Sequence, residues 1–422
     1  MEVCIHRGAK EIGGSCVEAT SGEHRLIIDL GLPLDSEEVD KTLLENIPGL
    51  LKSEISTPPL AVIISHPHLD HYGLLPYISP LIPVIMGTTA RRILNASEPF
   101  MHSGWSLPVC GQDLISQESF VLGPFKITPY LVDHSAYDAY SLLIEADGRR
   151  LLYSGDLRMH GRKSKLSKGL GKLLSGKVDT LIMEGTTING DNDRYFQSET
   201  VIEERMVQEF HNAEGMVLVN TSSQNIDRIV SIFRACRRTG KTLVIDLYTA
   251  AVLAATGNNN IPQSDWPGIS LYVPHRQRVF IKNKKLFGTL AEHSKNRIYM
   301  EELELIANHT VLLFRPLHIS DLDKGDRRAN GNLLKGARFI YSQWRDYSER
   351  KSFDEVRDWL DAHNIKMTHI HTSGHASIPD LQEFVRTLNP GCVVPIHTNN
   401  PESFNNYFSN VTLHADGEKW EA

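Results

Sequence analysis

The sequence predicts an α/β protein in which an outer domain, made of two separate pieces of chain, carries an inserted α/β domain. Short apolar strands that end in histidine or acidic residues occur in the first part of the chain and return near its end. Between them, strands alternate with helical patterns, which is typical of a parallel sheet covered by helices. We therefore expect three segments, 1–190, 191–365 and 366–422, of which the first and third form one domain.

Turn signals separate the strands of the first part. Strands are expected, in chain order, at Leu26–Asp29, Ala61–Ser65, Leu142–Glu145, Leu151–Tyr153 and Thr180–Met183. The third and fourth form a hairpin, because Asp147-Gly148 between them is a favoured turn pair.

Strand and helix patterns alternate after about residue 190. Strands are expected at Met216–Asn220, Thr242–Ile245, Ile269–Val273 and Val311–Phe314, and helices at Ser198–Ala213, Met300–Ala307 and Phe353–Ala362. A further helix carries Ile226, Ile229 and Phe233 on one face and ends at Gly240. The strands Met367–His371 and Cys392–His397 then flank a helix at Pro379–Leu388.

Composition excludes several classes of protein. The net charge of −7 argues against a protein that coats nucleic acid non-specifically. The five cysteines are scattered and form no CxxC pair, so neither a disulfide framework nor a zinc ribbon is indicated. No apolar run is long enough to span a bilayer, and the first residues do not resemble a signal peptide. We expect a cytoplasmic protein without a membrane partner.

The strongest functional signal is the run His66-Pro67-His68-Leu69-Asp70-His71 after the strand Ala61–Ser65, here called the histidine turn. Imidazole and carboxylate together suit zinc, manganese or iron. Alternating residues of such a turn can point to one metal while the last two point to a second. Packing alone gives no reason to collect three histidines and an aspartate at the end of a strand.

Further ligands are expected at other strand ends. His134 follows Leu131-Val132-Asp133, Asp156 follows the strand Leu151–Tyr153, and His397 follows Val393–Ile396. A lone histidine at a strand end is more often structural, but three such residues after three apolar strands make coincidence improbable.

The histidine turn, together with Asp29, His134 and Asp156 in that order, resembles the metallo-β-lactamase superfamily. The resemblance implies an αββα sandwich with two metals at one edge. It places His66, His68 and His134 on the first metal and Asp70, His71 and His397 on the second. Asp156 would bridge the metals, and Asp29 would orient the ligands.

The end of the chain is similar to the β-CASP nucleases of this superfamily, which carry a Rossmann-like domain that handles nucleic acid between the halves of the sandwich. The similar positions are Glu184, the motif His371-Thr372-Ser373-Gly374-His375-Ala376, and Pro395-Ile396-His397. Thr221-Ser222-Ser223-Gln224 is also similar to the ribonuclease J group. Ribonuclease J carries a further C-terminal domain, whereas this chain stops at Ala422. The resemblance therefore leaves open a monomer or a homodimer.

The resemblance implies catalytic roles outside the ligand set. His375 would protonate the leaving oxygen as a general acid, and Glu184 would hydrogen-bond His375. His371 and Ser373 would bind the substrate phosphate, with Gly374 leaving room for close approach.

Two basic stretches stand out against the net negative charge. Between Leu157 and Val178 no acidic residue occurs, whereas seven basic ones do: Arg158, Arg162, Lys163, Lys165, Lys168, Lys172 and Lys177. A second stretch holds Arg276, Arg278, Lys282, Lys284 and Lys285. Basic runs are usually solvated surface. The first begins two residues after Asp156, which favours a phosphate-binding role for Arg158, Arg162 and Lys163. The acidic residues Asp191, Asp193 and Glu199 are interpreted as surface charges.

These features favour a two-metal ribonuclease acting on single-stranded RNA, with two zinc ions per chain or manganese in their place. The sequence leaves open whether it cuts internally or from the 5′ end. One alternative is a DNA nuclease of the same branch, but DNA-directed members tend to have valine where this chain has His397. A second is a small-molecule hydrolase, which would lack the insertion and the Glu184/His375 pair. A third is an inactive RNA-binding subunit, which would have lost ligands.

Overall fold

The computed structural model describes residues 1–34, 42–51, 57–100, 107, 112–188 and 194–422. Its strands, in chain order, are β1 Glu2–Arg7, β2 Cys16–Ser21, β3 His24–Ile28, β4 Val62–Ile63, β5 Val84–Ile85, β6 Phe120–Leu122, β7 Phe125–Val132, β8 Ala139–Ala146, β9 Arg149–Tyr153, β10 Thr180–Glu184, β11 Val217–Asn220, β12 Thr242–Ile245, β13 Ile269–Tyr272, β14 Arg297–Ile298, β15 Thr310–Leu313, β16 Arg338–Tyr341, β17 Met367–His369, β18 Cys392–Ile396 and β19 Lys419–Glu421. Its α-helices are α1 Thr42–Glu45, α2 Leu69–Tyr72, α3 Thr88–Ser97, α4 Ser164–Leu173, α5 Glu199–His211, α6 Ile226–Thr239, α7 Leu247–Ala255, α8 His275–Lys284, α9 Phe287–His293, α10 Met300–Leu305, α11 Ile319–Arg328, α12 Asp354–Ala362 and α13 Ile378–Leu388.

The chain divides into two compact units. The first holds Met1–Asn95, Ser103–Phe196 and Gly374–Ala422, and the second holds Ala96–His102 and Gln197–Ser373. The predicted boundary at residues 190 and 191 lies outside the described residues. The strand β17, which the sequence analysis assigned to the third segment, pairs in parallel with β16 and so continues the sheet of the second unit. The domain boundaries stay predictions.

The first unit is an αββα sandwich, as predicted. In its described residues one sheet has the order β19-β1-β2-β3-β4-β5 and the other β18-β10-β9-β8-β7-β6. Alternating strand positions such as Val3, Ile5, Leu142 and Ile144 are fully or almost fully buried in one apolar cluster between the sheets. On the outer faces, α4 and α13 cover the second sheet through residues such as Phe384. The predicted hairpin around Asp147-Gly148 joins β8 to β9.

The second unit is a parallel α/β fold, which agrees with the predicted Rossmann-like insertion. Its described strands pair in the order β14-β13-β12-β15-β11-β16-β17, and every pairing is parallel. Ser198 caps the N-terminus of α5, where its side chain accepts a hydrogen bond from Val201 N, and Gly240 caps the C-terminus of α6 in the left-handed region, with φ +67°. In the described part of the chain, every helix is too short or too polar to span a bilayer.

A buried ion cluster ties the first three strands together. Glu18 on β2 is 4% exposed, and its carboxylate accepts hydrogen bonds from Arg25 Nε at 2.9 Å and Nη2 at 2.6 Å and contacts His6 Nε2 at 2.9 Å. Burial alone would raise the pKa of Glu18, but the hydrogen bonds from Arg25 and His6 lower it to about 2.

The substitution Glu18→Gln should therefore destabilise the fold in a pH-dependent way. The folded-state pKa is depressed, so the stabilisation is fully present above the ordinary value of 4.5 and is lost as the pH falls towards 2. At neutral pH the loss should be up to about 3 kcal/mol. Urea unfolding of both proteins in chelator, at a series of pH values, checks this. A stability difference that stays constant down to the folded-state pKa would contradict it.

Candidate metal centre

The predicted ligands lie at one edge of the sandwich, each in the loop that follows a strand. The histidine turn follows β4, and its last residues Asp70 and His71 lie in the short helix α2. The turn packs against the loop after β3, where a Cβ added at Gly31 would lie 1.7 Å from the carbonyl oxygen of Asp70. Only glycine fits this contact, so Gly31 fixes the position of the turn.

Three groups of side chains among the described residues bring ligand atoms within 4.8 Å of one another, and two of them contain the predicted ligands: His66 with His68 and His134, and Asp70 with His71, Asp156 and His397. In the first group, His134 Nε2 lies 3.2 Å from His68 Nδ1. In the second, His397 Nε2 lies 3.3 Å from Asp70 Oδ2. The structure thus brings all seven predicted ligands together, in the two sets that the resemblance implies.

Asp156 Oδ2 lies between the two groups. It is 3.6 Å from His66 Nε2, 3.2 Å from His71 Nε2, 4.0 Å from His134 Nε2 and 3.9 Å from His397 Nε2. One carboxylate oxygen therefore faces the ring nitrogens of both sets.

The unpaired atoms of this cluster fit a bound cation. His66 Nε2, His71 Nε2 and Asp156 Oδ2 are buried and have no hydrogen-bond partner of acceptable geometry, although the last two lie 3.2 Å apart. Buried polar atoms are almost always satisfied, so three unsatisfied atoms that face one another require an explanation. Nitrogen and oxygen donors of this kind, with no cysteine among them, are common ligands of divalent metals. The chain therefore carries a metal-binding centre.

Burial and neighbouring charges shift the pKa values of the ligand histidines in different directions. Burial lowers the pKa of His66 and His134 well below the usual range, which keeps these imidazoles neutral. Neutral imidazole is the form that binds metal. Burial also disfavours charge on His71, but Asp156 and Asp29 outweigh it and raise its pKa well above the usual range. The space between His71 Nε2 and Asp156 thus favours a positive charge.

Neighbouring acceptors fix which ring nitrogen faces the centre. His134 Nδ1 lies 2.6 Å from the carbonyl oxygen of Gly374, and His71 Nδ1 lies 2.7 Å from Asp29 Oδ2. Because a carbonyl and a carboxylate only accept, both Nδ1 atoms donate, which leaves Nε2 as the nitrogen that faces the centre and would bind a metal. A Cβ at Gly374 would lie 2.7 Å from Ser135 Oγ, so the absent side chain admits His134 and Ser135.

Asp29 supports the histidine turn through a network of hydrogen bonds. Its buried carboxylate accepts hydrogen bonds from His71 Nδ1, Ser65 N, Ser65 Oγ and Tyr153 OH, each at 2.7 Å. Ser65 Oγ donates to Asp29 and contacts His66 Nδ1 at 3.1 Å, so the network reaches ligands of both sets. Asp29 also has φ +57° and the ligand His397 has φ +55°, conformations that L-residues other than glycine rarely adopt.

We expect Asp29→Asn to weaken metal binding by about 10- to 100-fold without unfolding the protein. The asparagine amide has one acceptor oxygen and cannot replace both oxygens of the carboxylate, so His71 loses its fixed orientation. Tyr153→Phe, which removes one of the same hydrogen bonds, is the matched control and should have a smaller effect. Competition for metal with a chelator of known affinity measures both variants. Equal affinities for Asp29→Asn and the unmodified protein would contradict the orienting role.

His375 lies beside the second ligand set. Its Nδ1 is 3.0 Å from Glu184 Oε2, 3.1 Å from Thr186 Oγ1 and 3.8 Å from Asp156 Oδ2. Glu184 also accepts from Leu157 N at 3.0 Å, which fixes its carboxylate. Burial would lower the pKa of His375, but Glu184 and Asp156 raise it to about 9.

The prediction for Arg158 needs correction. Its side chain is fully buried and its Nε lies 3.2 Å from Asp133 Oδ1, so the guanidinium pairs inside the protein and is not presented to a phosphate. The backbone N–H of Arg158 also bonds the carbonyl oxygen of Asp133 at 2.7 Å, so a residue 25 positions away contacts both its main chain and its side chain. Arg162 and Lys163 are half-buried, and Lys163 Nζ lies 4.8 Å from the centre of the Tyr137 ring.

The predicted phosphate ligands His371 and Ser373 lie in the second unit. His371 Nδ1 is 3.4 Å from Arg228 Nη1, and burial, followed by the Arg228 charge, lowers the pKa of His371 to about 3. The arginine is fully buried and its Nη2 lies 3.0 Å from Glu199 Oε1. Glu199 is 1% exposed, so its interpretation as a surface charge is wrong. Asp191 and Asp193 lie outside the described residues.

The sequence did not indicate three residues that support the metal centre: Ser65, Tyr153 and Thr186. Ser65 and Tyr153 donate to Asp29, and Thr186 Oγ1 lies 2.8 Å from His397 Nδ1. The available signals were the position of Ser65 directly before His66 and of Tyr153 at the end of its strand. No feature near Thr186 indicated its role.

Comparison with known proteins agrees with this geometry. Residues 43–195 match the beta-lactamase superfamily domain, and residues 363–410 match the Zn-dependent metallo-hydrolase RNA specificity domain. A crystal structure of a protein of unknown function from Enterococcus faecalis aligns with a TM-score of 0.80 and 22% identity over 99% of both chains. At that identity the likeness shows the fold.

Curated relatives match the chain in sequence. Ribonuclease J of Sinorhizobium meliloti is 23% identical over 80% of this chain and 57% of its own length. Ribonuclease J of Mycoplasma genitalium is 23% identical over 92% of this chain and 66% of its own length. The RNase J-like protein of Methanocaldococcus jannaschii is 23% identical over 74% of each chain. The chain thus spans between 57% and 66% of the length of the first two. In its fold, its centre and these matches, the chain is similar to the β-CASP, ribonuclease J-like branch of the metallo-β-lactamase superfamily.

Proposed function

We propose that this protein is a two-metal ribonuclease that hydrolyses phosphodiester bonds of RNA. The observation that carries the proposal is the position of Asp156 Oδ2, within 4.0 Å of four histidine Nε2 atoms that belong to two ligand sets. A single carboxylate in contact with both sets suits a bridge between two cations. The match of residues 363–410 to an RNA specificity domain supports RNA as the substrate class.

Each residue of the centre has a proposed role. His66, His68 and His134 would hold one metal, and Asp70, His71 and His397 the other, with Asp156 shared. When bound, the two metals, proposed to be zinc, would supply an activated water and neutralise charge on the phosphate. Asp29 keeps Nε2 of His71 directed at the centre.

His375 is proposed as the general acid. Its contact with Glu184 at 3.0 Å favours the imidazolium, which carries a proton for the leaving 3′ or 5′ oxygen. Thr186 touches both His375 and His397, so it joins the acid to the second ligand set. His371 and Ser373 remain the proposed phosphate contacts, because the sequence motif places both within four residues of His375.

The preference for RNA tests the substrate assignment. The protein should cut single-stranded RNA faster than DNA of the same sequence, and a chelator should stop both reactions. End-labelled and internally labelled substrates measure this and also distinguish internal from terminal cleavage. The Asp156→Asn variant, which we expect to be inactive, is the control for contaminating nucleases. Equal or faster cutting of single-stranded DNA would move the chain to the DNA-processing alternative. The single-strand preference, the monomeric or homodimeric state and the cytoplasmic location stay predictions of the sequence.

A further inference from the structure

Helix α8 of the second unit carries a concentration of positive charge that the metal centre does not use. No Asp or Glu occurs between Ile269 and Ala291, in a chain whose net charge is −7. This stretch contains five basic residues, which together with Phe287 we call the basic helix surface: Arg276, Arg278, Lys282, Lys284 and Lys285. All five basic side chains are exposed.

The helix is anchored so that these charges face outward. Gln277 and Ile281, one helical turn apart, are buried. Gln277 Oε1 accepts from Leu247 N at 3.1 Å, and Gln277 Nε2 lies 3.3 Å from Asp246 Oδ2. Because the inner face is fixed by these contacts, the opposite face has a defined orientation towards solvent.

Ion pairs with acidic residues of the protein neutralise little of the positive charge on the basic helix surface. Within the described residues, one ion pair to these side chains is found, between Arg278 Nη2 and Asp321 Oδ2 at 3.9 Å. Like charges four residues apart, such as Arg278 and Lys282, destabilise a helix. Lys282 and Lys284 lie in the last turn of α8, where cations stabilise a helix, whereas Arg276 and Arg278 lie near its N-terminal end, where they do not. Helix stability therefore explains only part of the pattern, whereas a polyanionic partner explains all of it.

The spacing suits a nucleic-acid backbone. Arg278 and Lys282 are four residues apart and lie on one side of α8, and Lys285 follows directly after the helix ends at Lys284. Their positive charges, close together in this part of the chain, can contact neighbouring phosphates of a single strand. Phe287, two residues after Lys285, is 57% exposed and offers an aromatic face for stacking.

We propose that the basic helix surface binds the backbone of single-stranded RNA, with Phe287 stacking on a base. A basic surface beside an exposed aromatic ring is the combination that binds single strands without sequence preference. This inference rests on the proposed ribonuclease function and extends it by naming a binding surface in the second unit, outside the residues matched to the RNA specificity domain.

Charge neutralisation tests the surface. The triple variant Lys282→Gln, Lys284→Gln, Lys285→Gln removes three charges, and Lys324→Gln, Lys335→Gln, Lys366→Gln removes three exposed lysines elsewhere in the same unit. Binding of a labelled oligouridylate to the metal-loaded proteins is measured over a range of salt concentrations at low temperature. The first triple should reduce the slope of log K against log salt by about 2 and weaken binding roughly 10- to 100-fold at about 0.1 M salt. The control triple should keep the original slope.

A second variant tests the stacking contact. Phe287→Leu keeps an apolar side chain but removes the aromatic face, and it should weaken oligouridylate binding about 5-fold or more without changing the salt slope. Equal salt slopes for both lysine triples, or an unchanged affinity in Phe287→Leu, would overturn the proposal. So would lysine-dependent binding to anionic lipid vesicles with no effect on RNA. Cleavage is measured separately. Failure of the unmodified protein to cut RNA would count against the proposed function, whereas the salt slopes of oligouridylate binding test RNA binding by the basic helix surface.

Discussion

Replacement of Asp156 by alanine should remove both metal and activity. Its Oδ2 lies within 4.0 Å of the Nε2 atoms of His66, His71, His134 and His397, so its loss leaves two cations without their shared carboxylate. Two cations at close range repel each other, and at least one should dissociate. We expect metal content to fall by one equivalent or more and single-turnover cleavage to fall by at least about 10³-fold.

Asp156→Asn is the matched control for shape. It keeps the size of the side chain and loses the charge, so it should behave like the alanine variant in metal content and rate. Elemental analysis and single-turnover cleavage of labelled RNA measure both variants. If Asp156→Asn keeps two metals and a near-normal rate, Asp156 is not a bridging ligand and the two sets of histidines must be reassigned.

His375→Ala should separate catalysis from metal binding. General acid catalysis typically contributes a factor of about 10²–10⁴, so cleavage should slow by that amount while metal content and RNA affinity stay close to those of the unmodified protein. Glu184→Gln should give a milder defect in the same step, because Glu184 orients His375 through the contact at 3.0 Å. RNA substrates with a better leaving group at the cut should partly rescue His375→Ala, which a merely structural role would not allow.

The alternative for His375 is a ligand role. Its Nδ1 lies 3.8 Å from Asp156 Oδ2, and it belongs to a third possible ligand group with Asp156, Glu184 and His397. Loss of metal from His375→Ala as complete as that from Asp156→Ala would establish that role and exclude the general acid. A near-normal rate would instead favour a hydrolase of another substrate on the same fold.

Much of the centre could be predicted because its ligands are local in sequence. The histidine turn concentrates four ligands within six residues, and His134, Asp156 and His397 each follow an apolar strand. Parallel and antiparallel strands of a sandwich end at shared edges, so strand-end residues that are distant in sequence meet there. The Asp147-Gly148 turn likewise identified the hairpin of β8 and β9.

The supporting contacts could not be predicted, because they depend on tertiary packing. Arg158 and Glu199 look like surface charges in sequence, yet each is buried against an opposite charge, Asp133 and Arg228 respectively. The partners lie 25 and 29 residues away, and no periodicity links them. Strand β16 and helix α11 were also missed: β16 has only four residues, and α11 is rich in charged side chains.

The most direct test of the two-metal account is stepwise restoration of metal to the chelated protein. Zinc is added to metal-free protein in fractions of an equivalent, and the single-turnover rate of RNA cleavage is measured at each step. The account predicts no cleavage without metal, little with the first equivalent and a rate that saturates at two equivalents, because Asp156 serves both sets of ligands. Full activity without metal, or saturation at one equivalent, would contradict it.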